Sequence, residues 1–119
     1  MPRILVVDDE PLISMLVEDW LSELGCEVVG PTASVEGGLK LIASGALDGA
    51  ILDINLAGEN SYTVANALKE RGVPFAFATG DSGIDADSGF TNPLLLHKPF
   101  DFEAVKSVVG KLLKSQAGA

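Results

Sequence analysis

The sequence has little of several features that would point to particular classes of protein. It contains one cysteine, Cys26, which cannot form an internal disulfide, and this favours a reducing cytoplasmic compartment. Its 8 basic residues stand against 17 acidic ones, and the net charge of -9 argues against binding to nucleic acid or to an anionic membrane. No apolar run reaches the length of a transmembrane helix or a signal sequence. We therefore expect a soluble cytoplasmic protein.

The sequence does contain enough aliphatic material for one globular domain. Hydrophobic residues make up 47% of the chain and aromatic residues only 6%, which is typical of an α/β domain with an aliphatic core. A chain of 119 residues has room for one domain. We expect residues 1–119 to form it, with residues 115–119 as a frayed tail.

Short apolar runs alternate with stretches of helical periodicity. The predicted strands are residues 4–7, 26–29, 50–54, 75–78 and 94–97. This alternation predicts a parallel sheet with helices on both faces, and five strands suit the flavodoxin-like, doubly wound order 2-1-3-4-5. The stretch 80–93 is rich in glycine and aspartate and has no helical repeat, so we expect helix 4 to be short, irregular or absent.

Polar side chains stand where the predicted strands end. Asp8 and Asp9 follow the first strand and Asp53 lies near the end of the third, while Thr79 follows the fourth strand and Lys98 the fifth. The carboxyl ends of neighbouring parallel strands share one edge of the sheet, so we expect these side chains to converge. Converging carboxylates suit a hard divalent cation such as Mg²⁺ or Mn²⁺. A carboxylate beside a cation, a lysine and a hydroxyl is a candidate nucleophile for an acyl phosphate.

In this order and at these strand ends, the motifs resemble the receiver domain of bacterial two-component response regulators over essentially the whole chain. The resemblance implies that Asp53 accepts a phosphoryl group from a sensor histidine kinase or a phosphotransfer protein. It also implies that Asp9 ligates Mg²⁺ directly and Asp8 chiefly through water. Asp53 and the backbone carbonyl of Asn55 would complete the metal site.

The same resemblance implies the remaining roles and the partners. Thr79 and Lys98 would hold the phosphoryl oxygens. The protein would be a phosphoacceptor signalling domain rather than an enzyme, assisting only its own phosphorylation and dephosphorylation. It would act as a monomer or weak dimer and signal by contact with an unknown downstream protein.

A narrower resemblance lies in residues 74–80, Pro-Phe-Ala-Phe-Ala-Thr-Gly. They are similar to single-domain receivers, frequent in alphaproteobacteria, that are named for a Phe-Ala-Thr-Gly signature followed by a bulky residue and tyrosine. Here Asp81 and Ser82 follow the glycine, so this chain departs from the signature at that point.

Other positions bear on signal output and on the lifetime of the phosphorylated state. Many receivers carry Tyr or Phe three residues before the lysine, as a switch that works with the threonine. Here the corresponding pair is Leu95 and Thr79. Asn55 and Asp81 lie two residues beyond the acceptor and the threonine, where receiver side chains influence access of water, and Gly80 leaves room for a small phosphodonor. We expect autodephosphorylation within minutes rather than hours.

Several residues also have a purely structural interpretation. Asp8 and Asp9 can also be interpreted as a solvated pair at the strand end or as an N-cap, as acidic residues before a proline such as Pro11 often are. Strand alternation turns His97 away from the site, which favours a surface role over that of a phosphodonor. Trp20 has the spacing of a core residue, although exposure at this helix would mark a partner surface. Cys26 opens a strand and is expected to be inert.

Three alternative functions follow from the same residues. The leading interpretation is a stand-alone receiver. The first alternative is a binding module that works without phosphorylation, and the second is the receiver fragment of a longer regulator. A Mg²⁺-dependent phosphohydrolase is the third alternative. Such enzymes need a second carboxylate two residues beyond the nucleophile, and Asn55 occupies that position here.

Overall fold

The computed structural model describes residues 1–56, 58–79, 94–98 and 100–117. These residues form the five strands of one sheet, which are β1 (Arg3–Val7), β2 (Glu27–Thr32), β3 (Gly49–Asp53), β4 (Phe75–Thr79) and β5 (Leu94–His97). The helices among the described residues are α1 (Pro11–Glu23), α2 (Val35–Ser44), α3 (Tyr62–Glu70) and α4 (Phe102–Ala117). None of these described helices is both long enough and apolar enough to cross a membrane.

The five strands are parallel and follow the order β2-β1-β3-β4-β5, which confirms the predicted topology. Val7 pairs with Leu52, so the residues that follow them, Asp8 and Asp53, lie side by side at one edge of the sheet. The prediction that helix 4 is short, irregular or absent concerns residues 80–93, which lie outside the described part of the chain.

Two hydrophobic layers of described residues enclose the sheet, one on each face. The α1–α4 layer includes Val17 and Leu21 from α1 and Val105 and Leu112 from α4. The α2–α3 layer includes Ile42 from α2, Leu68 from α3 and Phe77 from the sheet, among others. Helices therefore cover both faces, as expected of a doubly wound fold. This packing leaves the carboxyl edge of the strands to carry the polar residues.

The β2 strand is longer than the sequence pattern predicts. Gly30 and Pro31 were expected to close it, but the strand continues through them to Thr32. The reason is that β2 is the edge of the described sheet, where a proline can lack its N–H without breaking a ladder bond to a further strand. The register also shifts between Leu5 and Val7, which accommodates the irregular end.

A short hairpin follows β3. Asn55–Leu56 pairs antiparallel with Glu59–Asn60. The backbone N–H of Ser61 donates to the carbonyl of Ile54 at 2.8 Å, which closes the hairpin directly before α3. The hairpin therefore holds the chain that leaves Asp53 against the start of the next helix.

Helix α2 forms despite two consecutive glycines that weaken its intrinsic propensity. Ser34 caps it, because its Oγ accepts the N–H of Gly37 at 3.0 Å. A Cβ on Gly37 would collide with the hydroxyl of Thr32, and one on Gly38 would lie 3.2 Å from Val64 Cγ2. The glycines thus allow α2 to pack closely against the end of β2 and against α3.

Trp20, Cys26 and His97 differ in how far their side chains are buried. Trp20 is half-buried, packs against the α1–α4 layer and meets the Phe100 ring edge-on with 6.4 Å between the centroids. Cys26 is 2% exposed, and burial raises the pKa of its thiol, in agreement with an inert residue. His97 is exposed, as strand alternation predicts.

Candidate functional site

The strand ends bring the predicted acidic residues and the lysine to one place. Asp8 and Asp9 follow β1, and Asp53 is the last residue of β3. Lys98 directly follows β5, and its backbone N–H donates to the carbonyl of Thr79 at 2.8 Å. Asp8, Asp53 and Thr79 are all buried, although each has a polar side chain. Burial of this kind requires partners, which the neighbouring strand ends supply.

Four carboxylates form a cluster at this edge. Asp8, Asp9, Glu10 and Asp53 each offer an oxygen, and these oxygens lie within 4.8 Å of one another. Hard divalent cations take oxygen ligands of this type. The donor set therefore fits a cation, and the cluster can hold a metal ion.

The ammonium of Lys98 is placed among these carboxylates. Its Nζ lies 2.7 Å from Glu10 Oε1, 3.2 Å from Asp53 Oδ2 and 3.8 Å from Asp8 Oδ2. Burial alone would lower the pKa of Lys98, but the hydrogen bond to Glu10 and the charges of Asp8 and Asp53 outweigh it, so the pKa is raised. The lysine is thus firmly cationic and stands in direct contact with the predicted acceptor.

The protonation of the buried carboxylates is also perturbed. Burial raises the pKa of Asp8 to about 6, although the backbone N–H of Glu10 donates to its carboxylate at 2.8 Å and opposes the rise. Burial also raises the pKa of Asp53, against the lowering effects of Lys98 and of the backbone N–H of Asn55. Both shifts mean that negative charge is disfavoured at this edge, a situation that a bound cation relieves.

Glu10 also belongs to the site, although it is not among the site residues predicted from the sequence. It follows the two predicted metal ligands directly, and three consecutive acidic residues after a buried strand are the signal that was available. Its contact with Lys98 joins residues 88 positions apart and depends on the sheet order. No pattern in the sequence indicates that the Glu10 and Lys98 side chains pair.

The predicted switch and tuning residues are only partly within the described chain. Thr79 is 5% exposed at the end of β4, and Leu95 is half-buried and packs against the α2–α3 layer. Asn55 is exposed in the hairpin, and its backbone N–H faces Asp53. Gly80 and Asp81 lie outside the described residues, as does Pro99.

An open cavity of about 410 Å³ adjoins the acidic cluster. Asp8 and Asp9 line it together with residues of α1, including Met15, and with Thr32 from the end of β2. The exposed large apolar residues of the described chain include three from α1, which we call the α1 patch: Leu12, Met15 and Leu16. An apolar surface therefore lies next to the mouth of the site.

Comparisons with known proteins agree with this geometry. The family profile described as response regulator receiver domain matches residues 4–109. The chain is 32% identical to the sensory transduction protein LytT of Bacillus cereus, over 98% of this chain and 49% of that protein. It thus spans about half the length of these curated relatives.

Two solved structures are similar over nearly their whole length. The solution structure of SdrG from Sphingomonas melonis Fr1 has 43% identity and a TM-score of 0.83, covering 95% of this chain and 97% of that one. The response regulator TrrA from Thermotoga maritima, crystallised in complex with Mg²⁺ and a beryllium fluoride, has 35% identity and a TM-score of 0.82, covering 95% and 100%. The matched profile, the sheet order and the acidic edge agree: the chain belongs to the response regulator receiver domain family, the phosphoacceptor modules of two-component signalling.

Proposed function

We propose that Asp53 is the residue that accepts the phosphoryl group. The supporting observation is its placement at the open edge of the sheet, 3.2 Å from the Lys98 ammonium and within the four-carboxylate cluster. An Asp53 oxygen attacks the phosphorus of a phosphohistidine on the donor. The new P–O bond forms as the P–N bond breaks, and the histidine nitrogen keeps the electron pair.

The other site residues serve this transfer. Lys98 neutralises charge on the phosphoryl oxygens, and the Thr79 hydroxyl donates a hydrogen bond to one of them. The proposed metal is Mg²⁺ or Mn²⁺, held by Asp8, Asp9, Asp53 and the backbone carbonyl of Asn55. When bound, the cation supplies positive charge against the transferring group. Asn55 stands where a phosphohydrolase would need a second carboxylate, which argues against that alternative.

The α1 patch is the proposed docking surface for the kinase. It adjoins the cavity that leads to the acidic cluster, so a partner seated there would hold its phosphohistidine near Asp53. The related protein TrrA was crystallised in complex with the histidine kinase ThkA. Replacing Met15 with glutamate should slow transfer from a cognate kinase, yet leave labelling by acetyl phosphate unchanged.

The output of the domain is proposed to be a protein–protein contact in the cytoplasm. Leu95 stands where many receivers carry the aromatic switch residue. Its side chain is half-buried and packs against the α2–α3 layer. We place the chain with stand-alone receivers such as SdrG, acting as a monomer or weak dimer on an unknown downstream protein. A phosphorylation-independent module, or a receiver within a longer regulator, is the alternative.

The decisive experiment follows incorporation of labelled phosphate from acetyl phosphate. Wild type should be labelled in the presence of Mg²⁺ and not in EDTA, and Asp53→Asn should lose the label. Asp19→Asn, the same change at an exposed position of α1, is the matched control and should label normally. Labelling of Asp53→Asn at the wild-type level would refute the site, and an unlabelled wild type would favour the phosphorylation-independent module.

A further inference from the structure

Glu10 begins α1 without using its side chain as a cap. It is the N-cap residue, in extended conformation, and its carboxylate makes no capping hydrogen bond within the described helix. Side-chain oxygens at this position normally accept a free N–H of the first turn. The Glu10 carboxylate instead reaches Lys98, at 2.7 Å between Oε1 and Nζ. The side chain is therefore committed to the lysine rather than to its own helix.

This contact is shorter than the contact of Lys98 with the acceptor. The Nζ atom lies 2.7 Å from Glu10 and 3.2 Å from Asp53. An ammonium has three N–H donors, and one of them is directed to Glu10. The Lys98 side chain is 17% exposed and that of Glu10 is 55% exposed, so water weakens the pair without removing it.

We propose that Glu10 is a positioning residue that competes with the incoming phosphoryl group for Lys98. This inference rests on the proposed function of Asp53. In the unphosphorylated protein, Glu10 and Asp53 share the ammonium. A phosphoryl group on Asp53 brings more charge and three acceptor oxygens, which outcompete a half-exposed glutamate, so Lys98 leaves Glu10. Glu10 thereby lowers the rate at which Asp53 is phosphorylated.

Loss of the Glu10–Lys98 ion pair should increase the rate of phosphorylation. Glu10→Gln removes the competing charge, so Lys98 is free for the phosphoryl group. A half-exposed ion pair corresponds to roughly a two- to fivefold change in an equilibrium, and we expect phosphorylation to be faster by that factor. Glu10 also belongs to the carboxylate cluster, so its loss weakens cation binding. The comparison is therefore made at saturating Mg²⁺.

The experiment measures initial rates of labelling by acetyl phosphate in wild type, Glu10→Gln, Lys98→Ala and the double variant. Glu10→Gln should be two- to fivefold faster in the wild-type background, and without effect once Lys98 is alanine. The same gain in both backgrounds would show direct repulsion of the donor and overturn the proposal. The affinity for beryllium fluoride, measured beside these rates, should tighten by a similar factor in Glu10→Gln.

Two further variants separate position from charge. Glu10→Asp keeps the charge but shortens the reach to Lys98, so it should also label faster than wild type. Glu23→Gln, an exposed residue of the same helix, controls for net charge and should label at the wild-type rate. If wild type labels but Glu10→Gln is no faster, this inference fails alone. If wild type does not label, the proposed function of Asp53 fails.

Discussion

The metal-free protein should gain stability from Asp8 as the pH falls towards 5. Burial raises the pKa of this carboxyl from its ordinary value of 3.8 to about 6. The folded state then binds the proton more tightly than the unfolded state does. The resulting stabilisation is fully present below the unfolded value and is lost as the pH rises through the folded value.

The magnitude follows from these two values. Linkage gives about 1.4 kcal/mol between roughly pH 7.5 and pH 5, and about 1 kcal/mol once solvent screening is allowed for. For a domain of this length, about 1 kcal/mol corresponds to a change of roughly 3–6 °C in Tm. The raised pKa of Asp53 acts in the same direction.

The assay is thermal unfolding by circular dichroism in EDTA, with Asp8→Asn as the reference protein. Asparagine keeps an oxygen that can accept the Glu10 N–H at 2.8 Å but does not titrate. The advantage of the variant over wild type in unfolding free energy should be about 1 kcal/mol larger near pH 7.5 than near pH 5, and it should disappear only below the unfolded pKa of 3.8. Taking the difference removes the effects of carboxylates that do not interact with Asp8, whereas Asp53 and Glu10 interact with it directly. Parallel pH curves for the two proteins would refute the reasoning.

Substitutions at four other positions have defined outcomes in urea unfolding or phosphate labelling. Gly38→Ala should destabilise by up to about 2 kcal/mol, because its Cβ would lie 3.2 Å and 3.4 Å from the two methyl groups of the fully buried Val64, which outweighs the gain of about 1 kcal/mol in helix propensity. Gly110→Ala, whose Cβ meets no described atom within 4 Å, should stabilise α4 by about 0.5–1 kcal/mol. Ser61→Ala should be neutral or stabilising by about 1 kcal/mol, because the buried hydroxyl has no hydrogen-bond partner among the described residues. Thr79→Ala should slow labelling several-fold and Thr79→Ser should restore it; equal rates for the two would contradict a role for the hydroxyl.

The sheet and the convergence of its polar ends were predictable because local signals determine them. Apolar runs locate the strands, the alternation with helices makes them parallel, and parallel strands end at a common edge. Asp8, Asp53 and Lys98 then meet whatever the details of the loops. The caps of α2 and α4 are equally local: the Ser34 hydroxyl accepts the N–H of Gly37, and the Asp101 carboxylate accepts the N–H of Ala104 at 3.0 Å.

Features that depend on tertiary context were not predictable. The hairpin after β3 has strands of two residues, too short for any periodicity to appear. Continuation of β2 through Gly30 and Pro31 is allowed only because β2 is the sheet edge. The Glu10 side chain binds Lys98 and does not cap its own helix. This contact depends on which side chains the folded sheet brings within reach. Local propensity contains no information about that competition.

The two hydrophobic layers have a consequence for how the domain can change over generations. The α1 patch rests on the α1–α4 layer, whereas α2 and α3 pack in a separate cluster of described residues across the sheet. Substitutions that share no partners add nearly independently in free energy. A lineage can therefore rework α1 towards a new kinase and recover the lost stability on the opposite face. The acidic edge lies between the two layers and is held in position by both.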